Sequence, residues 1–356
     1  MSDDRAKVLV TGAGGFIGGR VVEILFELDR FEVVPALRRW STAARIGRYP
    51  VDPVQCDLME PAQIAEAVSG VDFIIHCAVG SPEVTIEGTR NLLEAAVEAG
   101  VRRVVHLSTI DVYGRADGTV TEETPHSLTG RAYGDSKIEA EAVCRDLAER
   151  GLEVVILRPT IVYGPFSDSW TIQFAERLAQ GSWLLPKEAC EGTCNLVYVD
   201  DLVRSIVLAL EADGVSGGAY NINGPERPSW QAYVEKLNRA LGLPDLEPPP
   251  AASAKSKTRM VEPVRRLVKA AFYRFEKPVV AVYKRSRLAR GLMKWTQNTL
   301  RKVPSPAEYD LYGREVDIST ARAEEELGYR PKVTMEAGVE LSAQWLRHEG
   351  VVRPRA

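Results

Sequence analysis

The feature that most constrains the fold is a glycine-rich turn close to the N-terminus. Residues 11–18 read TGAGGFIG, directly after a β-branched run at 7–11 and directly before a helical pattern. Glycine permits a tight turn and leaves no Cβ to obstruct a pyrophosphate, and the helix N-terminus offers free N–H groups to that anion. The spacing therefore predicts a dinucleotide-binding turn built on Gly12, Gly15 and Gly18.

The rest of the first half alternates strand and helix patterns. Strand-like runs at 32–37, 54–56, 72–76, 103–108 and 153–158 alternate with helical patterns near 61–68, 84–99 and 133–150. This alternation predicts a Rossmann-type α/β fold, a doubly wound parallel sheet with helices on both faces. After residue 159 the pattern loosens into short elements between Gly/Pro turns. We expect residues 1–165 to form mainly the dinucleotide-binding domain and residues 166–356 mainly a smaller C-terminal substrate-binding lobe.

Composition excludes several other classes of protein. The 356 residues are 45% hydrophobic and 26% charged, which is ordinary for a globular chain. We find no apolar run of about 18 residues and no signal-peptide pattern. Five scattered cysteines do not form a disulfide framework or a metal-ligand pattern, so we expect no metal site. These observations favour a cytoplasmic protein.

Charge is concentrated in one segment. The net charge of the chain is −4, yet residues 255–302 hold fifteen Lys and Arg against two Glu. This segment follows a proline-rich linker at 242–254 and mixes apolar and basic residues at helical spacing. It is either an insertion whose charges are solvated, a peripheral membrane contact, or a contact with an anionic substrate. Nothing in the sequence favours nucleic acid as a partner.

Further motifs follow the glycine turn in a fixed order. They are Asp57-Leu58, His76-Cys77-Ala78, LSTIDVYG at 107–114, YGDSK at 133–137, RPTIVYGP at 158–165 and VYVDD at 197–201. In this order and spacing the chain resembles the extended short-chain dehydrogenase/reductase family of the NAD-dependent epimerase/dehydratase type. The resemblance covers roughly residues 7–241 and resumes at about 316–346.

The resemblance implies a nicotinamide dinucleotide cofactor. The residues implied to bind it are Gly12, Gly15, Phe16, Ile17, Gly18, Arg38, Arg39, Ser41, Asp57, Leu58, Cys77, Ala78, Val79, Ser108, Tyr133, Lys137, Pro159 and Val162. The second strand ends without the carboxylate that an NAD site places on the ribose hydroxyls. Arg38, Arg39 and Ser41 suit a 2′-phosphate instead, although a solvated arginine pair is the alternative. We favour NADP over NAD.

Three residues form the predicted catalytic set. Tyr133 and Lys137 are four residues apart at the start of a helix, which places both side chains on one face. Thr109 ends the fifth strand, where open α/β sheets place ligand contacts. The resemblance implies that Tyr133 exchanges a proton with the substrate while hydride passes to or from the nicotinamide. We expect the Lys137 ammonium to lower the pKa of the Tyr133 phenol.

Departures from the family motifs bear on the substrate. Family dehydratases that form 4-keto-6-deoxy sugars carry Asp-Glu where this chain has Ile110 and Asp111, so 4,6-dehydration is disfavoured. Nucleotide-sugar members often carry Asn where this chain has Ile161. We expect Asp111, Ile161 and Arg204 to contact the substrate.

Three functions remain open at this stage. The first is an oxidoreductase or epimerase acting on a hydroxyl or keto carbon of a sugar nucleotide or related glycosyl compound. The second is an NADP-dependent reductase or dehydrogenase of an apolar, sterol- or isoprenoid-like ketone or alcohol at a membrane surface. The third is a non-catalytic protein that senses NADP. The resemblance also implies a homodimer formed through the helices at 84–99 and 133–150.

Overall fold

A computed structural model describes residues 5–183, 185–247, 249–250, 254, 256, 258–263, 265–266 and 303–352. Its main sheet has seven strands, all paired in parallel. They are β1 (Ala6–Thr11), β2 (Phe31–Leu37), β3 (Val54–Gln55), β4 (Phe73–His76), β5 (Arg103–Leu107), β7 (Glu153–Pro159) and β10 (Ala219–Ile222). The spatial order is β10-β7-β5-β4-β1-β2-β3. The predicted Rossmann-type fold is therefore confirmed.

Helices connect these strands. They are α1 (Phe16–Leu28), α2 (Pro61–Val68), α3 (Pro82–Glu98), α4 (Ala132–Glu149), α5 (Gln173–Ala179), α6 (Val199–Glu211), α7 (Trp230–Ala240), α8 (Pro306–Gly313), α9 (Ala321–Glu326) and α10 (Met335–His348). A proline in the first turn begins α2, α3 and α8, where its missing N–H costs no helical hydrogen bond. α3 and α4 pack against each other. The dimer expected to form through them stays a prediction.

The core lies between the sheet and its helices. Strand residues such as Leu9, Ile74 and Val104 are fully buried, and they share one apolar cluster with Leu92 of α3 and Leu147 of α4. Central strands of a parallel sheet are covered on both faces, which explains why their sequences are continuous apolar runs. This packing fixes the carboxyl ends of the strands, where the candidate site lies.

Two small parallel pairs complete the strands. Strand β6 (Gly118–Val120) pairs with β11 (Val316–Ile318), and β8 (Ile161–Tyr163) pairs with β9 (Leu196–Tyr198). Asn195 donates its side-chain N–H to the carbonyl of Val316 at 2.9 Å. Residues 195–198 and 316–318 therefore pair with segments of the chain that precede them by tens to hundreds of residues.

The chain divides into two compact units that are interleaved along the sequence. The first holds residues up to Trp170, then Asn195–Arg227 and Val316–Gly338. The second holds Thr171–Cys194, Pro228–Glu315 and the chain from Val339 onward. Aromatic side chains of Phe174, Trp183, Trp230, Tyr233 and Tyr312 pack together within the second unit. The assignment of a cofactor domain and a substrate lobe stays a prediction.

Most of the basic segment at 255–302 lies outside the described residues. The alternatives for its role, membrane contact included, therefore stay predictions. Among the helices that the structure does describe, none combines the length and the apolar character needed to cross a membrane.

Candidate active site

The carboxyl ends of β1, β4 and β5 meet at one edge of the sheet. The strand register places Thr11 beside His76, and His76 beside His106. The residues that follow these three positions are Gly12, Cys77 and Leu107, so the glycine turn, the loop after β4 and the end of β5 share this edge. The chain reverses its strand order between β1 and β4, which is the position where open α/β sheets bind ligands.

An open cavity of about 280 Å³ lies at this edge. Its walls come from the glycine turn and from the ends of β2, β3 and β4. The lining residues are Thr11, Gly12, Gly14, Gly15, Ala36, Leu37, Arg38, Thr42, Cys56, Asp57, Leu58, Cys77, Ala78, Val79 and Val84. Apolar walls combined with a glycine turn, one arginine and one aspartate suit the adenosine diphosphate half of a dinucleotide.

The glycine turn approaches its neighbours too closely for a side chain. Gly12 has a φ of +69°, and a Cβ there would lie 2.9 Å from the backbone nitrogen of Ala78. A Cβ on Gly18 would overlap the carbonyl oxygen of Gly12. Within the described residues no side chain caps the N-terminus of α1 at Gly15. The turn therefore fits a pyrophosphate that approaches the backbone directly.

Of the three residues in the loop after β2 predicted to bind the cofactor, only one lines the cavity. Arg38 lines the cavity, whereas the cavity wall does not include Arg39 or Ser41, both of which the structure describes. Thr42 lines it instead; a Cβ on Gly14 would lie 2.5 Å from the Thr42 hydroxyl. The Thr42 hydroxyl donates to the carbonyl of Arg39 at 2.7 Å. The loop thus folds back onto the glycine turn.

A buried ion pair anchors that loop to α1. Arg45 donates to the Glu23 carboxylate at 2.7 and 2.9 Å and to the backbone carbonyl of Phe16 at 2.9 Å. Arg48 donates to the same carboxylate at 2.8 Å. Although burial opposes ionisation, hydrogen bonds from the arginines lower the pKa of Glu23 to about 2. The loop that carries Arg38 and Thr42 is therefore attached to α1, the helix that begins after the glycine turn.

The buried imidazole of His76 helps to fix the loop after β4. Nδ1 of His76 lies 2.7 Å from the Thr11 hydroxyl oxygen, and Nε2 lies 3.0 Å from the Thr89 hydroxyl oxygen. The backbone N–H of Ala78 donates to the Thr11 hydroxyl at 3.3 Å. Complete burial, assisted by the Lys137 cation, lowers the pKa of His76 to about 3. His76 is therefore neutral at physiological pH.

The predicted catalytic set gathers beside this edge. The Tyr133 phenol lies close enough to both Thr109 and the Asp111 carboxylate for each of them to influence its pKa. Desolvation of the phenol first, and then Asp111, raise the pKa of Tyr133, and Thr109 opposes this, although the residue as a whole is 48% exposed. The expectation that Lys137 lowers the Tyr133 pKa is wrong for this structure, because Lys137 is not among the groups that shift this pKa, and desolvation and Asp111 raise it. Tyr133 is a protonated phenol here.

Lys137 lies deeper than Tyr133. Its ammonium donates to the carbonyl of Leu107 at 2.7 Å, at the end of β5, and the side chain is fully buried. Burial lowers the pKa of Lys137 to about 8, against the opposing influence of Cys77 and other acidic groups. Because Cys77 influences the Lys137 ammonium and also lines the cavity, Lys137 lies next to the Cys77 wall of that cavity.

Five other residues predicted to bind the cofactor do not line the cavity. The Ser108 hydroxyl donates to Glu141 at 2.5 Å and is buried. Pro159 ends β7 and Val162 lies within β8. Phe16 and Ile17 begin α1 and are half-buried. The cofactor contacts expected of these residues stay predictions.

The three predicted substrate residues have different surroundings. Asp111 follows Thr109, and its backbone N–H donates to the Thr109 hydroxyl at 3.2 Å. Ile161 begins β8 and is half-buried. Arg204 lies on α6 and pairs with Asp201, whose carboxylate also accepts the backbone N–H groups of Lys332 and Val333 at 2.8 Å. Of the three, Asp111 lies beside the catalytic set.

Comparisons with known proteins agree with this geometry. The family model described as the NAD dependent epimerase/dehydratase family matches residues 8–223. The 2-alkyl-3-oxoalkanoate reductase of Stenotrophomonas maltophilia is 30% identical over 68% of this chain and 77% of the relative. Sterol demethylase protein B of Methylococcus capsulatus is 31% identical over 66% and 75%.

A solved structure extends the likeness to nearly the whole chain. The dTDP-glucose 4,6-dehydratase DesIV of Streptomyces venezuelae, with NAD bound, has a TM-score of 0.71, 25% identity and coverage of 98% of this chain and 99% of that chain. The family match spans more than half of this chain. The chain therefore belongs to the NAD dependent epimerase/dehydratase family and is an NAD(P)-dependent enzyme of the extended short-chain dehydrogenase/reductase type.

Proposed function

We propose that this enzyme transfers hydride at a hydroxyl or keto carbon of its substrate, with Tyr133 as the acid or base. The observation that carries the proposal is that Thr109 lies beside Tyr133 while Lys137, on the same helix as Tyr133, binds the end of β5 next to Cys77, a residue of the cavity wall. The bound nicotinamide supplies or accepts the hydride. Thr109 orients the reacting oxygen by a hydrogen bond, and Tyr133 exchanges the proton with that oxygen. The raised pKa of Tyr133 suits it as a donor to a carbonyl.

Substitution of Tyr133 tests this proposal. Tyr133→Phe removes the hydroxyl and keeps the ring, so we expect turnover to fall at least about 100-fold, the contribution typical of acid–base catalysis. Binding of NADPH, followed by its fluorescence, is expected to stay within about threefold, because Tyr133 does not line the cavity and the other predicted cofactor contacts are kept. A variant that keeps the wild-type rate would rule out Tyr133 as the proton donor.

We propose NADP as the preferred cofactor. Arg38 lines the cavity at the end of β2, and among the described lining residues the only carboxylate belongs to Asp57 at the end of β3. A guanidinium pairs well with a 2′-phosphate. We expect Arg38→Ala to raise the Kd for NADPH about 10-fold or more and to leave the Kd for NADH unchanged. Arg39→Ala, at a residue outside the cavity wall, serves as the comparison. Tighter NADH than NADPH binding by the wild-type enzyme would contradict the preference.

The first substrate candidate is a sugar nucleotide or related glycosyl compound. The family match and the near-complete coverage by a dTDP-glucose dehydratase support it. Ile110 and Asp111, which stand in place of Asp-Glu, favour epimerisation or oxidation over 4,6-dehydration. Incubation with UDP-glucose or dTDP-glucose and NMR of the products tests this candidate: an epimer or keto sugar would support it.

The second candidate is an apolar ketone or alcohol. Ile161 supports it, because an alkyl side chain supplies no hydrogen bond to a sugar nucleotide, and so do the relatives named as a 2-alkyl-3-oxoalkanoate reductase and a sterol demethylase protein. NADPH oxidation in the presence of a 2-alkyl-3-oxoalkanoate or a 3-ketosteroid, with no turnover of sugar nucleotides, would favour it. Ile161→Asn should then raise the KM for the apolar substrate.

A further inference from the structure

A buried carboxylate lies on the same helix face as the predicted catalytic residues. Glu141 follows Lys137 by four residues and Tyr133 by eight on α4, so the three side chains lie along one face. Glu141 has no exposed surface. A buried charge is costly unless it is paired and hydrogen-bonded, so the partners of this carboxylate show what it does.

Glu141 has one partner on its own helix, Arg145, which donates to Oε2 at 2.7 Å, and Nε2 of His126 lies 3.4 Å from the same oxygen. Its other two partners lie at the ends of strands that carry the rest of the predicted site. Ser108, directly before Thr109, donates its hydroxyl proton to Oε1 at 2.5 Å. Arg158, directly before Pro159 at the end of β7, donates to Oε1 at 2.9 Å and to Oε2 at 2.7 Å. One carboxylate therefore joins α4 to the ends of two strands.

Further hydrogen bonds fix the position of Arg158. Arg158 donates to the Tyr113 hydroxyl at 2.8 Å, and that hydroxyl donates to Oδ1 of Asn221 at 2.7 Å. Nε2 of His126 lies 2.8 Å from Arg158. Burial opposes ionisation of Glu141, but hydrogen bonds and charge from Arg158 outweigh it and lower the pKa of the carboxyl. Glu141 is therefore a fixed anion.

We infer that Glu141 is a positioning residue for the reaction proposed above: through Ser108, its carboxylate holds Thr109, two residues beyond β5, at the distance from Tyr133 and Lys137 on α4 that proton transfer requires. The inference rests on the proposed function. A buried ion pair adds little net stability because desolvation offsets the attraction, whereas its geometry restricts how the joined elements can move. The anion also favours the charged form of the Lys137 ammonium, whose pKa burial lowers.

Glu141→Gln tests the inference, because it keeps the size of the side chain and removes the charge. We expect kcat to fall about 10- to 100-fold, since small displacements of catalytic groups have effects of that size. The KM and the Kd for NADPH are expected to change less than about threefold, because Glu141 does not line the cavity. Glu139→Gln is the matched control: Glu139 is an exposed glutamate on the same helix and should keep wild-type kcat.

A second variant keeps the test decisive if Glu141→Gln does not fold. Ser108→Ala removes the hydrogen bond between Glu141 and the segment after β5 that carries Thr109, and it leaves the Glu141–Arg158 pair intact. We therefore expect a smaller fall in kcat, again without a change in KM. An unchanged kcat per NADPH-binding site in Glu141→Gln, or in Ser108→Ala where Glu141→Gln does not fold, would overturn the inference. That failure is distinct from failure of the proposed function, which would appear as wild-type turnover in Tyr133→Phe.

Discussion

Among single residues, Gly12 has the least freedom to change. Its φ of +69° lies in the left-handed region, which costs other residues about 1–2 kcal/mol. A Cβ would also contact the backbone of Cys77 and Ala78 at 2.9 Å, and those atoms belong to the other wall of the cavity. A side chain at position 12 would therefore disturb both the glycine turn and the close packing of the loop after β4 against it.

Gly12→Ala should weaken both stability and cofactor binding. We expect the free energy of unfolding to fall by about 1–3 kcal/mol and the Kd for NADPH to rise at least about 10-fold, because the β4 loop must shift. Urea unfolding and fluorescence titration measure the two effects. Gly47→Ala is the control, since a Cβ at that exposed glycine meets no atom within 4 Å. Equal effects in both variants would contradict the steric explanation.

Motifs predict those site residues whose role depends on local backbone geometry. Gly12, Asp57 and Ala78 are recognised because each occupies a fixed place directly after a strand. Thr42 and Glu141 carry no such signal, because their positions depend on how a loop or a helix packs in three dimensions. Arg158 could have been found: a charged residue within an apolar strand of a buried parallel sheet needs a partner.

At the scale of elements, the Glu23 carboxylate determines how the loop after β2 sits on α1. Removing one partner of a buried ion pair leaves the others uncompensated. We therefore expect Glu23→Gln to lower the free energy of unfolding by about 3 kcal/mol, measured by urea denaturation. Glu27→Gln, an exposed position on the same helix, should change it by less than about 0.5 kcal/mol.

The strands differ in how well their sequences predict them. Strands β1, β4, β5 and β7 are apolar runs between helical patterns, and the sequence predicts all four close to their observed bounds. Strands β6, β8, β9 and β11 have three residues each, which is too short for any periodic signal. They form because long-range packing brings their backbones together, as in the pairing of β6 with β11.

The whole molecule should lose stability in mild acid. His76 has a folded-state pKa of about 3 against about 6.5 when unfolded, so between these values the unfolded chain binds more protons. Stability therefore falls as pH is lowered from about 6.5 toward 3, by about 1.4 kcal/mol per pH unit within the window. Buried His106, whose pKa burial also lowers, adds to the slope. Glu23 contributes below about pH 4.5 because its pKa is about 2.

Urea unfolding between pH 7 and pH 4 measures this slope. His76→Gln should reduce it by about one proton, whereas His348→Gln, at an exposed position near the end of α10, should leave it unchanged. Stability that is constant across this range would contradict the assignment of two neutral buried imidazoles.

The hydrogen bonds around His76 determine which of its partners donates a proton and which accepts one. Thr89 gives its hydroxyl proton to the carbonyl of Thr85 at 2.6 Å, so it can only accept from His76. A neutral imidazole that donates from Nε2 must accept at Nδ1, and the proton of Thr11 is therefore committed to His76. Toward the cavity Thr11 offers a lone pair and no proton. It can accept from a ribose hydroxyl or an amide, but it cannot donate to a phosphate oxygen, so we expect the backbone N–H groups of the glycine turn, and not the Thr11 hydroxyl, to donate to a pyrophosphate.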